Sequence, residues 1–483
     1  MAKTRSLPGP GLGGMTGTRR GQAALGLAAA GLAALSWAAM PALPVPLVAV
    51  LIALVPAAVW VLLRAPLVLV IGFVCFSLFR LHEVIGPLEP LRLPLLLSLG
   101  ALAGFGLMLV LGRAETRLTP ELGLLLAFAA LVTAQVPLAV NPGRAIGYWV
   151  DSYSKIVLMA FAIAWMVRSA PQIGAILRVM TVIGAGIAAV AVWNSVHGIG
   201  LVEGSRVTIN RAQGSQLGDP NDLAMVLLFP IGFATGFLLG RSPGRGDRII
   251  AAVALPLLVW GLLATQSRGG LLGLMAVAAV FAWGRVRNKA LLLGAGGIAG
   301  LGLFALSGIG ARSVVLEGGG ATAIDASAQG RLDAWSAAIN MALAKPLTGV
   351  GIDNFTENFF FYTPHWGGMA KAVHSTWFQV LAETGFPGLV LFLALVLVTL
   401  RGGVAMLRRL RGLGTPAGVV LADRVEALVA ALAGFMVSAT FLTQAFTWPL
   451  YLLIALLVAA RQIAGTLYSG GTSPARGAPY PSA

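Results

Sequence analysis

Apolar runs long enough to cross a lipid bilayer recur along almost the whole chain, and no other feature constrains its fold as strongly. They lie near residues 21–40, 42–63, 66–80, 93–112, 121–140, 151–167, 174–197, 221–240, 249–265, 269–284, 290–309, 375–400, 426–446 and 448–462. A helical span needs about 20 apolar residues, so the pattern predicts an all-α, polytopic transmembrane bundle of about 12–14 spans. A membrane β-barrel would alternate apolar and polar residues, and no such alternation is visible. Composition agrees, since 58% of the residues are hydrophobic and only 10% are charged. The small residues Ala38-Ala39-Met40 imitate a signal-peptide cleavage site, but a second apolar run follows at once, so the first run reads as an uncleaved anchor. The expected organisation is a disordered basic tail over 1–20, helices over 21–309, a large external loop over 310–374 with short amphipathic helices, helices over 375–463, and a second disordered tail over 464–483.

The net charge of +16 would suggest nucleic acid as a partner of a soluble protein. In a membrane protein its distribution matters more, and no nucleic-acid partner is expected. With the N-terminus inside, the cytoplasmic side receives 22 of the 33 basic and 5 of the 17 acidic residues, leaving 11 and 12 outside. This asymmetry follows the positive-inside rule and puts both termini in the cytoplasm. The single cysteine, Cys75, lies in an apolar run, so neither a disulfide nor a cysteine metal cluster can form within one chain.

Within the external loop, Leu332, Trp335, Ile339 and Leu343 recur at helical spacing between Arg331 and Ala344, which predicts an amphipathic interfacial helix ended by Lys345-Pro346. Gly349-Val350-Gly351 reads as a tight turn. Phe359, Phe360, Phe361, Tyr362 and Trp366 read as an aromatic belt at the membrane surface.

Basic residues avoid the external side, so those found there need a reason. Arg268 sits in Gln266-Ser267-Arg268-Gly269-Gly270, a minimal turn between two spans, where an arginine calls for an anionic partner. A ligand phosphate or a protein carboxylate such as Asp219 would serve. Arg206 and Arg211 flank a polar loop, and their guanidinium forks match the oxygens of a diphosphate. That loop ends in Asp219-Pro220-Asn221-Asp222, a helix start with Asp219 or Asn221 as cap. Arg331 is a third basic candidate or an interfacial anchor. His374 opens the next apolar run, where the helix dipole favours a neutral imidazole able to act as a general base. Glu383 lies deeper in that run, and Gly385-Phe386-Pro387-Gly388 should interrupt it; both are expected to shape a cavity. No Asp-x-Asp, Walker, His-Glu-x-x-His or Gly-x-Ser-x-Gly motif occurs, so neither a cofactor nor a metal is expected.

Taken together, Arg206 and Arg211 with Asp219 to Asp222, Ser267 to Gly270, Arg331 to Phe355, and His374-Ser375 followed after nine residues by Gly385-Phe-Pro-Gly388 resemble the O-antigen ligase and O-antigen polymerase superfamily of bacterial membrane glycan transferases. The resemblance covers roughly residues 200–395. It implies metal-independent transfer from an undecaprenyl-diphosphate-linked glycan to a glycan, lipid or protein acceptor hydroxyl, on the periplasmic side of the inner membrane. It further implies His374 as base, Arg206 or Arg211 with Arg268 as diphosphate clamps, Arg331 as a further clamp candidate, and Asp219, Asn221 and Glu383 in support. Leu389-Val390 after Gly388 departs from the ligase signature, so a polymerase and a protein O-glycosylation ligase stay open. A transporter or flippase would share the topology, but it should show midplane charges and repeat-related broken helices, of which the sequence offers little.

Overall fold

The computed structural model describes residues 65–85, 88, 92–112, 116–306 and 322–470. The tail over 1–20, the runs 21–40 and 42–63, and segments 310–321 and 471–483 lie outside the described residues. The elements are α1 (Pro66–Phe79), α2 (Leu93–Val110), α3 (Pro120–Gln135), α4 (Pro142–Tyr148), α5 (Ser154–Met166), α6 (Ala170–His197), α7 (Pro220–Leu239) and α8 (Arg245–Ala264). They continue with α9 (Arg268–Trp283), α10 (Lys289–Leu306), α11 (Thr322–Ala344), α12 (Phe355–Tyr362), α13 (Thr376–Gly412), α14 (Pro416–Ala439) and α15 (Trp448–Gly470). No strand occurs among the described residues.

Seven of these helices are long and apolar enough to cross a membrane: α2, α3 with its extension to Leu138, α6, α7, α8, α13 and α15. Three shorter apolar helices accompany them, over Pro66–Phe79, Arg268–Trp283 and Lys289–Ile298. The protein is a multi-pass helical membrane protein. Its helices begin where the local chemistry says they should. Pro stands in the first turn of α3, α6, α7 and α14, each preceded by a Thr, Ser or Asp whose side chain accepts a backbone N–H.

Helix α15 is apolar on every side and accordingly forms the centre, with Leu450 to Ala460 each at most 3% exposed. Small residues set the closest crossings. A Cβ placed on Gly236 of α7 would stand 2.6 Å from Ala427 Cβ of α14, and one on Gly232 would stand 3.2 Å from Ala431 Cα. Gly232 and Gly236, like Ala427 and Ala431, are one turn apart, so the two backbones approach through matched small-residue stripes. Gly273 of α9 and Gly434 of α14 make a second such crossing.

Hydrogen bonds between the connections sort them into two ends. One end collects residues 139–153, 198–219, 265–267, 345–375 and 440–447; the other collects 167–169, 240–244, 284–288 and 413–415. At this second end both acids of α14 have polar partners. Glu426, 2% exposed, accepts from Arg285 at 2.7 and 3.0 Å and lies 2.8 Å from Arg411. Asp423 accepts the Ser242 N–H and hydroxyl, each at 2.7 Å. Breaking a fully buried pair costs about 3–5 kcal/mol. Because Arg285 and Arg411 reach solvent, Glu426→Ala is expected to cost less, about 1–2 kcal/mol, read as a lower melting midpoint in detergent.

Two boundaries differ from the sequence expectation, and α11 shows which of its faces is buried. Helix α15 continues past residue 463 to Gly470, because Ala464 is still buried and Arg409 stacks over the Tyr468 ring at 5.7 Å. The run 426–446 is helical only to Ala439; Thr440, Thr443, Gln444 and Thr447 then form a turn through their own hydrogen bonds. In α11 the stripe divides: Leu332, Ile339 and Leu343 face outward at 52%, 41% and 64% exposure, while Trp335 stacks on Phe378 at 5.3 Å. The buried face is Ala334, Ala337, Ala338 and Ala342 with Met341, and the four alanines let α11 lie close against α13.

Candidate functional site

All the site residues named from the sequence gather at the end formed by the 198–219, 265–267, 345–375 and 440–447 connections. Backbone strain gathers there too. Among the described residues, the seven non-glycine positions with positive φ are Arg80, Arg92, Glu203, Asn210, Gln266, Asp353 and His374, and every one lies at this end. Such conformations cost free energy and persist where surrounding contacts over-determine them, which is common at functional sites.

Three backbone-directed devices hold His374 in place. Its own N–H, at φ +48°, donates to Thr443 Oγ1 at 3.0 Å. Thr376 Oγ1 donates to Leu442 O at 2.8 Å and accepts the Gln444 N–H at 3.2 Å. Gln379 Oε1 accepts the Ala445 N–H at 2.9 Å. The start of α13 is thereby stitched along the 442–445 turn, with the His374 ring half-buried. Burial lowers its pKa below the ordinary histidine value, the Arg331 charge lowers it further, and Asp219 pulls the other way. Burial and Arg331, rather than the helix dipole alone, favour the neutral imidazole.

Asp219 caps α7 as expected, its Oδ1 accepting from the Asn221 N–H at 2.7 Å and the Asp222 N–H at 3.3 Å. The Asn221 side chain is a hub. Its Oδ1 accepts from Arg206 Nη2 at 2.8 Å and from Ser267 Oγ at 2.9 Å. Arg206 is 6% exposed and also donates through Nε to Thr265 O at 3.1 Å, so it ties the loop to the α8–α9 turn. Arg211 differs. It is exposed, resting on Gly218 O at 2.9 Å.

The α8–α9 turn is built to present Arg268. Gln266 takes a left-handed backbone at φ +49°, Ser267 caps α9 by accepting the Gly270 N–H at 3.1 Å, and Arg268 begins the helix with its side chain exposed. Ser267 thus serves the cap and the Asn221 hub at once.

Glu383 has a supporting place. It is 3% exposed and accepts the Phe355 N–H of α12 at 3.3 Å. Its backbone and that of Ala382 accept from Gly351 and Val350 at 3.1 and 2.8 Å, so the 346–354 loop docks on the α13 kink at Gly385. Arg144 clasps the same loop from outside, 2.9 Å from Asp353 and 2.8 Å from Glu357. Of the aromatic belt, Phe360, Phe361 and Trp366 are exposed, whereas Phe359 is buried in a small cluster with Phe355 and Val350.

Among the described residues no three His, Cys, Asp or Glu side chains converge as a metal-ligand set would. Residues 252–393 match the family model described as O-antigen ligase. Over that segment, less than a third of the chain, the sequence is similar to the O-antigen ligase superfamily. The O-antigen ligase segment contains Arg268, Arg331, His374 and Glu383, while Arg206, Arg211, Asp219 and Asn221 precede it. The likeness supports a place in membrane glycan biosynthesis, whose partners in general are a lipid-linked glycan and an acceptor. No curated protein matches the chain.

Sequence reading missed the 440–447 turn, which anchors His374 and supplies Gln444. The available signal was the cluster Thr440, Thr443, Gln444 and Thr447 between two apolar spans, the same kind of polar interruption that marked Arg268.

Proposed function

We propose that the chain transfers a glycan from an undecaprenyl-diphosphate-linked donor to an acceptor hydroxyl on the periplasmic side of the bacterial inner membrane, with both termini cytoplasmic and 310–374 as the periplasmic loop. The observation that carries the proposal is His374, half-buried and under the charges of Arg331 and Asp219, at the same end as Arg211 and Arg268 in a chain similar to the O-antigen ligase superfamily. In this reading neutral His374 takes the proton of the acceptor hydroxyl as its oxygen attacks the anomeric carbon. The bond from that carbon to the diphosphate breaks, and the undecaprenyl diphosphate leaves with the electron pair.

Arg211 and Arg268 would stabilise the charge developing on the leaving group, because their guanidinium groups are exposed where a lipid diphosphate can reach them. Arg331 would tune His374 and add to the positive field. Buried Arg206, with Asn221 and Asp219, would position the two loops, and Glu383 would hold the 346–354 loop against α13.

The test is glycan transfer in membranes supplied with lipid-diphosphate-linked glycan, at matched expression. Removing one such donor typically costs about 10²–10³ in rate, so Arg268→Ala and Arg211→Ala should each lose transfer on that scale. A single added unit identifies a ligase and a ladder identifies a polymerase. Full transfer by both variants would refute the clamp assignment.

A further inference from the structure

A cavity of about 110 Å³ opens beside the His374 anchor, between α1, the turn preceding α5, the start of α7 and the 444–449 segment. It adjoins the candidate site on two sides. Gln444 lines it, one residue from the Thr443 that holds His374, and Asp222 lines it, one turn from the Asp219 cap. Inside runs a polar rail, in which Thr447 Oγ1 donates to Gln444 Oε1 at 2.6 Å and Gln444 Nε2 donates to Asp222 Oδ1 at 2.8 Å. Ser152 and Trp448 also line it, the one bringing a hydroxyl and the other an apolar ring.

Ser152 belongs to a π-helical turn, Trp149–Tyr153, and single π turns recur at functional sites because the extra residue re-aims the side chains around it. At the rim, Arg80 pairs with Glu83 through Nη2 while its Nε is buried with no hydrogen-bond partner.

Each alternative occupant meets an obstacle. An acyl tail would desolvate the Asp222–Gln444–Thr447 rail without replacing its hydrogen bonds. A phosphate would face the Asp222 carboxylate with one arginine already neutralised by Glu83. A pyranose ring meets neither, because its rim of hydroxyls can donate to Asp222 and exchange hydrogen bonds with Gln444, Thr447 and Ser152, while its C–H faces suit Trp448. A cavity of this order holds about one six-membered ring. We infer that the cavity is a monosaccharide subsite for the sugar unit next to the reacting centre; this rests on the glycan-transfer reading above.

The test measures binding to the full chain in nanodiscs with three probes: polyprenyl diphosphate alone, polyprenyl diphosphate carrying one sugar, and a free oligosaccharide acceptor. The variants are Ser152→Trp, which fills the cavity, and the isosteric Asp222→Asn, which keeps the start of α7 intact should the bulkier change misfold. If the sugar belongs to the donor, wild type binds the sugar-bearing lipid at least tenfold more tightly than the bare one, and the variants erase that difference while binding the bare lipid unchanged. If it belongs to the acceptor, the variants weaken oligosaccharide binding at least tenfold and leave both lipid probes unchanged. Wild-type affinity of the variants for all three probes would overturn the subsite. Failure of wild type to bind bare polyprenyl diphosphate would count against the diphosphate reading instead, and the oligosaccharide arm would still decide the cavity.

Discussion

His374→Ala is expected to lower glycan transfer by about 10²–10⁴-fold, the range general-base catalysis usually contributes. Asparagine tolerates the left-handed backbone at this position, so His374→Asn separates the loss of a base from the loss of a conformation. His374→Asn should melt like wild type, and both variants should show the same loss of about 10²–10⁴-fold. Transfer within about twofold of wild type in His374→Asn would remove His374 from the mechanism.

The pH profile gives the assignment a second, independent reading. Burial and Arg331 lower the His374 pKa, so the neutral base survives below the ordinary histidine value, and transfer should decline only as pH falls through that lowered value. Removing the arginine in Arg331→Gln takes away a cause that lowers the pKa, so the acid limb should move to higher pH. Asp219→Asn takes away the cause that raises it, so the limb should move to lower pH. Opposite shifts from two substitutions are hard to obtain from any group other than one lying between them. An acid limb unmoved by both would show that some other group is titrating.

These effects rest on geometry that the sequence carried unevenly. Apolar runs located the described helices because burial in lipid demands continuous apolarity, and Asp219-Pro220 announced the start of α7 because capping chemistry is local. The stop at Ala344 before Pro346 and the interruption near Gly385 were legible for the same reason. What depends on a partner distant in sequence was not. Arg206 and Arg211 look alike as residues, and only the placement of Asn221, Thr265 and Gly218 turns one inward and leaves the other exposed. The 440–447 turn was absorbed into an apolar run because threonine and glutamine barely lower its mean hydropathy, although their hydrogen bonds end α14. The π turn at Trp149–Tyr153 carries no composition signal, since it differs from α-helix by one residue of register.

Gly385 is where local chemistry and the remote contact coincide, and Gly385→Ala should produce the largest loss of stability. Its backbone, at φ +68° and ψ −170°, lies in a region essentially restricted to glycine, which costs another residue about 1–3 kcal/mol. A Cβ there would also stand 2.5 Å from Pro346 O and 3.0 Å from Leu347 C, both backbone atoms that cannot swing aside. The kink lets the Phe386 N–H reach Pro346 O at 2.9 Å, so moving it undocks the 346–354 loop. Adding overpacking of about 1–3 kcal/mol to the strain, the substitution should cost about 2–6 kcal/mol, read as a depressed melting midpoint and faster proteolysis of the 345–375 connection. Gly349→Ala should behave alike, because its φ is +60° and its Cβ would lie 2.4 Å from Ala382 O across the same contact. The double variant should lose less than the sum, since either change breaks one shared interface. Gly367→Ala, in the same connection with nothing within 4 Å of its Cβ, should stay within about 0.5 kcal/mol of wild type. A Gly385→Ala protein that melts with Gly367→Ala would mean that the kink does not hold the loop.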